Sequence, residues 1–111
     1  MKLKIKGQEY SFVFGVKFLR NIDKYHGVEQ EQNGMKMKFG MGLTTLLPSL
    51  MTNDSAVLAD VLYAAAKPKI RLDDIDDYID NCNNLEPLFK QVINEIKASN
   101  ATKPLAKNLK A

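Results

Sequence analysis

Residues 2–25 read KLKIKGQEYSFVFGVKFLRNIDKY, and the hydrophobic period changes from two to about 3.6 within this one stretch. Leu3 and Ile5 alternate with lysines, and Tyr10, Phe12 and Phe14 alternate with Glu9, Ser11 and Val13. Val16, Phe18, Leu19, Ile22 and Tyr25 then recur at helical spacing. The expectation is a β-hairpin that feeds directly into an amphipathic helix. Residues 2–6 and 8–14 are its strands. Gly7-Gln8 is the turn candidate, because glycine supplies the positive φ of a tight hairpin. Lys2, Lys4 and Lys6 share one strand face, expected to be solvated and to guard an edge against wrong pairing. The helix is Val16–His26, with Gly27 as its C-terminal cap and Lys17, Arg20 and Lys24 on its polar side.

Outward from this unit the chain reads as helical. Residues 28–34, VEQEQNG, are polar and read as loop. Met35–Phe39 alternates Met with Lys and reads as a short third strand. Gly34, Gly40 and Gly42 predict a mobile or sharply bent connection. Residues 43–51, LTTLLPSLM, form a short apolar helix in which Pro48 demands a kink or a new turn. Thr52, Asn53, Asp54 and Ser55 are capping residues. Residues 56–67 form the next helix, with Val57, Leu58, Val61, Leu62 and Ala65 as its buried stripe, and Pro68 ends it. Residues 69–72 are a short link, and Asp73 or Asp74 caps a helix bearing Ile75, Tyr78 and Ile79. Glu86-Pro87 suits the first turn of a final helix, whose apolar face is Leu88, Phe89, Val92, Ile93 and Ile96. The fold class expected is α+β: mostly helical, with a small N-terminal antiparallel hairpin, extended by the third strand, packed against four or five helices. One domain spans residues 1–97, and residues 98–111, without an acidic side chain, form a flexible basic tail.

At 111 residues and 45% hydrophobic composition the chain suits one domain with a modest core. A net charge of +3 is too weak to argue for nucleic acid by itself. The single cysteine, Cys82, excludes an internal disulfide and fits a reducing compartment. The N-terminus lacks the apolar region of a secretory leader. No run approaches the roughly 20 apolar residues of a membrane span. A soluble, cytoplasmic protein is the expectation.

The chemistry-bearing residues do not assemble into a catalytic set. Asp73, Asp74, Asp76, Asp77 and Asp80 lack the glycine and the ligand alternation of a calcium loop. Their helical spacing instead makes a solvated face beside a positive helix N-terminus. His26 and Cys82 are each the sole residue of their type, too few for zinc and without a third group to orient a nucleophile. The glycines around Phe39 match no phosphate-binding spacing. No enzyme, metal or cofactor is expected. The lysine-bearing N-terminus and tail could touch phosphates, but no aromatic residue follows Phe89 to stack a base.

The methionines and leucines of residues 35–51 exceed what one short helix can bury beneath itself, and Met is favoured on adaptable binding surfaces. Core packing is the plainer explanation. The sharper one is a self-association or client-binding surface of Met37, Phe39, Met41, Leu43, Leu46, Leu47, Leu50 and Met51, joined by the exposed side of residues 56–67. On that reading Leu46→Asp or Leu50→Asp abolishes binding and leaves the fold intact.

Three features together resemble the tail assembly chaperones of long-tailed, siphovirus-type phages and prophages of Gram-positive bacteria. They are the aromatic strand passing through Phe14-Gly15 into a helix with Leu19, Ile22, Asp23 and Tyr25, the apolar helix opened by Gly42-Leu43, and the helix with Leu58, Leu62, Tyr63 and Ala64. The resemblance covers residues 2–97. It implies a non-enzymatic protein that binds the phage tape measure protein, keeps it soluble and helps recruit tail tube subunits. It also implies a homo-oligomer associated with a frameshifted longer form and with the major tail protein, acting in the host cytoplasm and absent from the mature virion. The alternatives are a small structural connector protein and a nucleic-acid-binding regulator.

Overall fold

The computed structural model describes residues 1–26, 28–32, 35–39 and 42–108, with side chains for 1–24 and 42–107. Strands β1 (Lys2–Ile5) and β2 (Gln8–Phe12) form the expected antiparallel hairpin, with Leu3 opposite Tyr10 and Ile5 opposite Gln8. The turn sits one residue earlier than expected. Lys6 and Gly7 both have positive φ, 50° and 81°, as a type I′ connection requires. Helix α1 spans Val16–His26, as the periodicity predicts. Its start is fixed by the apolar run itself, because Phe14 and Phe18 meet edge-to-face with centroids 5.1 Å apart.

Residues 28–32 are not a loop. Val28–Gln32 is strand β3, paired antiparallel with β4 (Met35–Phe39) in a two-stranded ribbon separate from the first sheet. The signal was present: two alternating runs flank Asn33-Gly34, the dipeptide most typical of two-residue hairpin loops. Gly27, Gly34, Gly40 and Met41, with the cap and bend expected there, lie outside the described residues.

Helix α2 (Gly42–Met51) carries Pro48 inside it, and α3 (Ser55–Ala65) is capped by Asp54, whose Oδ1 accepts from the amides of Ala56 and Val57 at 3.0 and 3.2 Å. Ala66 and Lys67 do not continue α3. They form β5 (Ala66–Lys67), which pairs antiparallel with β2, so the third strand of the N-terminal sheet comes from here and not from Met35–Phe39. The proline that follows disfavours helical backbone before it, which releases the segment to pair. Helix α4 (Leu72–Asp80) starts at Arg71 without a side-chain cap, so neither Asp73 nor Asp74 fills that role. Helix α5 is Glu86–Ala98, with Pro87 in its first turn.

The chain beyond residue 97 is folded onto the domain through residue 108. Ser99 Oγ donates to the Phe14 carbonyl, Thr102 is fully buried with its hydroxyl donating to the Ile96 carbonyl, and α6 (Lys103–Asn108) seats Ala106 in the core against α2 and α5. A six-residue helix is too short to show a period in sequence, which is why composition suggested a tail.

Helix α2 is the hub. It packs on α1, α3, α5 and α6, and Leu43, Leu47 and Leu50 are wholly buried. Its first residue makes a close contact with α1. A Cβ on Gly42 would overlap Ile22 Cγ2 and lie 2.9 Å from the Ile22 carbonyl atoms. The Gly42 amide donates to Asp23 Oδ1 at 3.0 Å. Gly42→Ala is therefore expected to destabilise the fold by about 1–3 kcal/mol, as overpacking does, read as a lowered urea midpoint. An unchanged midpoint would show that α1 and α2 can part at no cost. Leu50→Ala is expected to lose about 2–5 kcal/mol in the same assay.

Candidate functional site

The sequence-predicted binding residues do not share one open surface. Leu43, Leu46, Leu47 and Leu50 point into the core, because α2 is covered by other helices along its length and buries the leucines that seemed in excess. Leu50→Asp would place a carboxylate among apolar side chains and unfold the chain, so that substitution tests folding and not binding. Met51 stands at the end of α2 and is 42% exposed. Met37 and Phe39 occupy β4, where only the backbone is described, and Met41 lies outside the described residues.

The register of the ribbon sorts its residues into two sets. Val28 faces Phe39, Gln30 faces Met37 and Gln32 faces Met35 in one set of alternating positions. Glu29 faces Lys38 and Glu31 faces Lys36 in the other. Cross-strand partners share a sheet face. The ribbon is thus amphipathic by register, with apolar and amide positions on one side and matched opposite charges on the other. Sequence reading found the Met-bearing half and missed its partner strand.

The acidic helix does structural work that its spacing did not reveal. Lys6, held at positive φ in the hairpin turn, reaches across to α4 and donates to Asp74 Oδ1 at 2.7 Å and Asp77 Oδ2 at 3.4 Å. The hydrogen bond to Asp74 raises the Lys6 pKa above its ordinary 10.5, and the same bond holds the Asp74 carboxyl below its ordinary 3.8. Lys6 is therefore a clasp between β1 and α4 and not only an edge guard. Among the described residues no group of His, Cys, Asp or Glu is placed to hold a metal ion. Cys82 is half-buried, its thiol 3.4 Å from the Asn84 carbonyl.

A groove of about 290 Å³ opens between α1, the end of α3 and β5. Its walls include Val13 and Tyr63, 54% and 38% exposed, and Lys17, Lys24, Lys67 and Lys69 stand around it. Asn21 Nδ2 donates to the Ala64 carbonyl at 3.0 Å and fixes the two helices on either side. The lysines of this groove lie as far apart in sequence as Lys17 and Lys69 and meet only in the fold.

The clasp makes a pH-dependent prediction. A carboxyl with a lowered pKa contributes stability above its unfolded pKa and loses it as pH falls through the folded value. A lysine with a raised pKa contributes below its unfolded pKa and loses it as pH rises through the folded value. Lys6→Met should therefore lower the melting temperature slightly at neutral pH. The gap from the wild type should close below the ordinary Asp74 value of 3.8 and again well above 10.5. A gap independent of pH would assign the effect to the turn backbone.

Among the described residues no helix is long and apolar enough to cross a membrane. Comparison with curated proteins and with solved structures returned no match. A family model described as phage tail assembly chaperone protein, TAC, matches residues 2–110, nearly the whole chain and further toward the C-terminus than the resemblance in the sequence reached. The chain belongs to the phage tail assembly chaperone family.

Proposed function

We propose that this chain binds a phage tape measure protein, keeps it soluble in the host cytoplasm, and helps recruit tail tube subunits before leaving the finished tail. It acts by binding and not by catalysis. The family match over residues 2–110 carries this reading. A tape measure protein is a long helical rod with apolar seams, and an unassembled seam needs a temporary cover. Several copies along one rod would gain in avidity while each contact stays weak enough to release.

The surface proposed for the client is the Met-bearing side of the ribbon, with Met37 and Phe39 of β4, the adjoining Met41, and Met51 at the end of α2. Segregation of apolar from charged positions by the β3–β4 register supports it, as does the exposure of Met51. Unbranched, polarisable Met side chains suit a surface that must accept many turns of a long rod. Leu43, Leu46, Leu47 and Leu50 belong to this site as the scaffold behind it. Homo-oligomerisation, contact with the major tail protein and association with a longer form are part of the same proposal.

Co-expression with the tape measure gene of the same locus, followed by size-exclusion chromatography with light scattering, tests the reading. A large soluble complex is expected, with the client insoluble alone. The pair Met37→Asp and Met51→Asp should abolish solubilisation while circular dichroism stays unchanged. A client that is soluble alone, or that never co-elutes, would redirect attention to a structural connector.

A further inference from the structure

The lysine-rimmed groove between α1, the end of α3 and β5 shares no residue with the surface proposed above, and its chemistry is different. We infer that it docks an acidic segment of the protein client, one that presents an aliphatic or aromatic side chain between carboxylates. The inference rests on the chaperone reading for the identity of the client and on the groove alone for the chemistry of the segment.

Shape and charge agree. Small side chains, Ala64 and Ala65, form the buried floor, and the exposed flanks of Val13 and Tyr63 offer apolar walls. The space of about 290 Å³ suits a few side chains and not a whole helix. Among the described residues no acidic side chain lines it. Lys17, Lys67 and Lys69 form no ion pair among the described residues, in contrast to Lys2, Lys6 and Lys90, each of which meets a carboxylate. Three lysines without an ion pair around an apolar floor favour an anionic partner and repel a cationic one.

A second copy of this chain would offer chiefly the acidic face of α4, and three of its five aspartates already meet a basic side chain. Asp74 and Asp77 hold Lys6, and Asp73 pairs with Arg71 at 3.3 Å. The charge balance therefore favours an external acidic segment.

The test uses the full chain co-expressed with the tape measure protein. Affinity is read by displacement of tagged wild-type chain from the purified soluble complex, and is compared for the wild type, for Lys17→Glu with Lys69→Glu, and for Lys4→Glu with Lys97→Glu, which changes net charge equally outside the groove. The groove pair should weaken binding about tenfold or more, the control pair should change it less than about threefold by long-range attraction alone, and the wild-type affinity should fall as salt is raised. Equal affinity for all three overturns the groove assignment and leaves the chaperone reading standing. Loss of self-association, with client affinity retained, overturns it in favour of a second copy in the groove. A wild-type chain with no affinity for the client overturns both readings.

Discussion

The close approach of α1 and α2 at Ile22, Asp23 and Gly42 is the constraint on which the rest of the domain depends. A side chain at Gly42 would drive the helices apart, and the Asp23 carboxylate holds the amide that opens α2. With α2 fixed there, its leucines reach the stripes of α1, α3, α5 and α6 at once. A small domain closes only a modest core, so one apolar helix shared by four neighbours is an economical arrangement. Phe12, Phe14 and Phe18 continue the same core toward the three-stranded sheet, and the buried Thr102 and Ala106 seal it from the C-terminal end.

That packing separates scaffold from contact surface. The residues that look most adhesive in sequence, the α2 leucines, are consumed by folding. The surfaces proposed for partners are the ribbon, the end of α2 and the lysine-rimmed groove. The ribbon meets the domain chiefly through the approach of β4 to α1, outside the helical core. Two-stranded ribbons are marginal by themselves, so an apolar partner on one side would add order as well as affinity. The groove differs in being rigidly framed, with Asn21 tying α1 to the end of α3. An adaptable apolar contact and a fixed electrostatic one are complementary means of holding a long client weakly at many points.

Where a local period ran long enough, the sequence was readable. Helix α1 was legible to the residue because Val16, Phe18, Leu19, Ile22 and Tyr25 keep a helical spacing within its eleven residues, and the Asp54 cap was legible because acceptor side chains preceded a clean apolar stripe. Elements shorter than their period were not: β5 has two residues and α6 has six. Strand β3 was hidden by composition, since Val28 is its sole apolar residue, although the Asn-Gly that follows was a usable turn signal. The Lys6 clasp and the groove join residues far apart in the chain, and no pattern within one segment could disclose them. Burial of the α2 leucines turned on how many neighbours cover that helix, which is a property of the fold as a whole.

Hydrogen exchange on the free chain and on its complex with the tape measure protein tests the division between scaffold and ribbon most directly. The account predicts new protection of the β3 and β4 amides in the complex, with α2 amides between Leu43 and Leu50 already slow in the free chain and unchanged. Protection that appears in α2 while the ribbon stays as it was would mean that the leucines leave the core to meet the client, and would contradict the account.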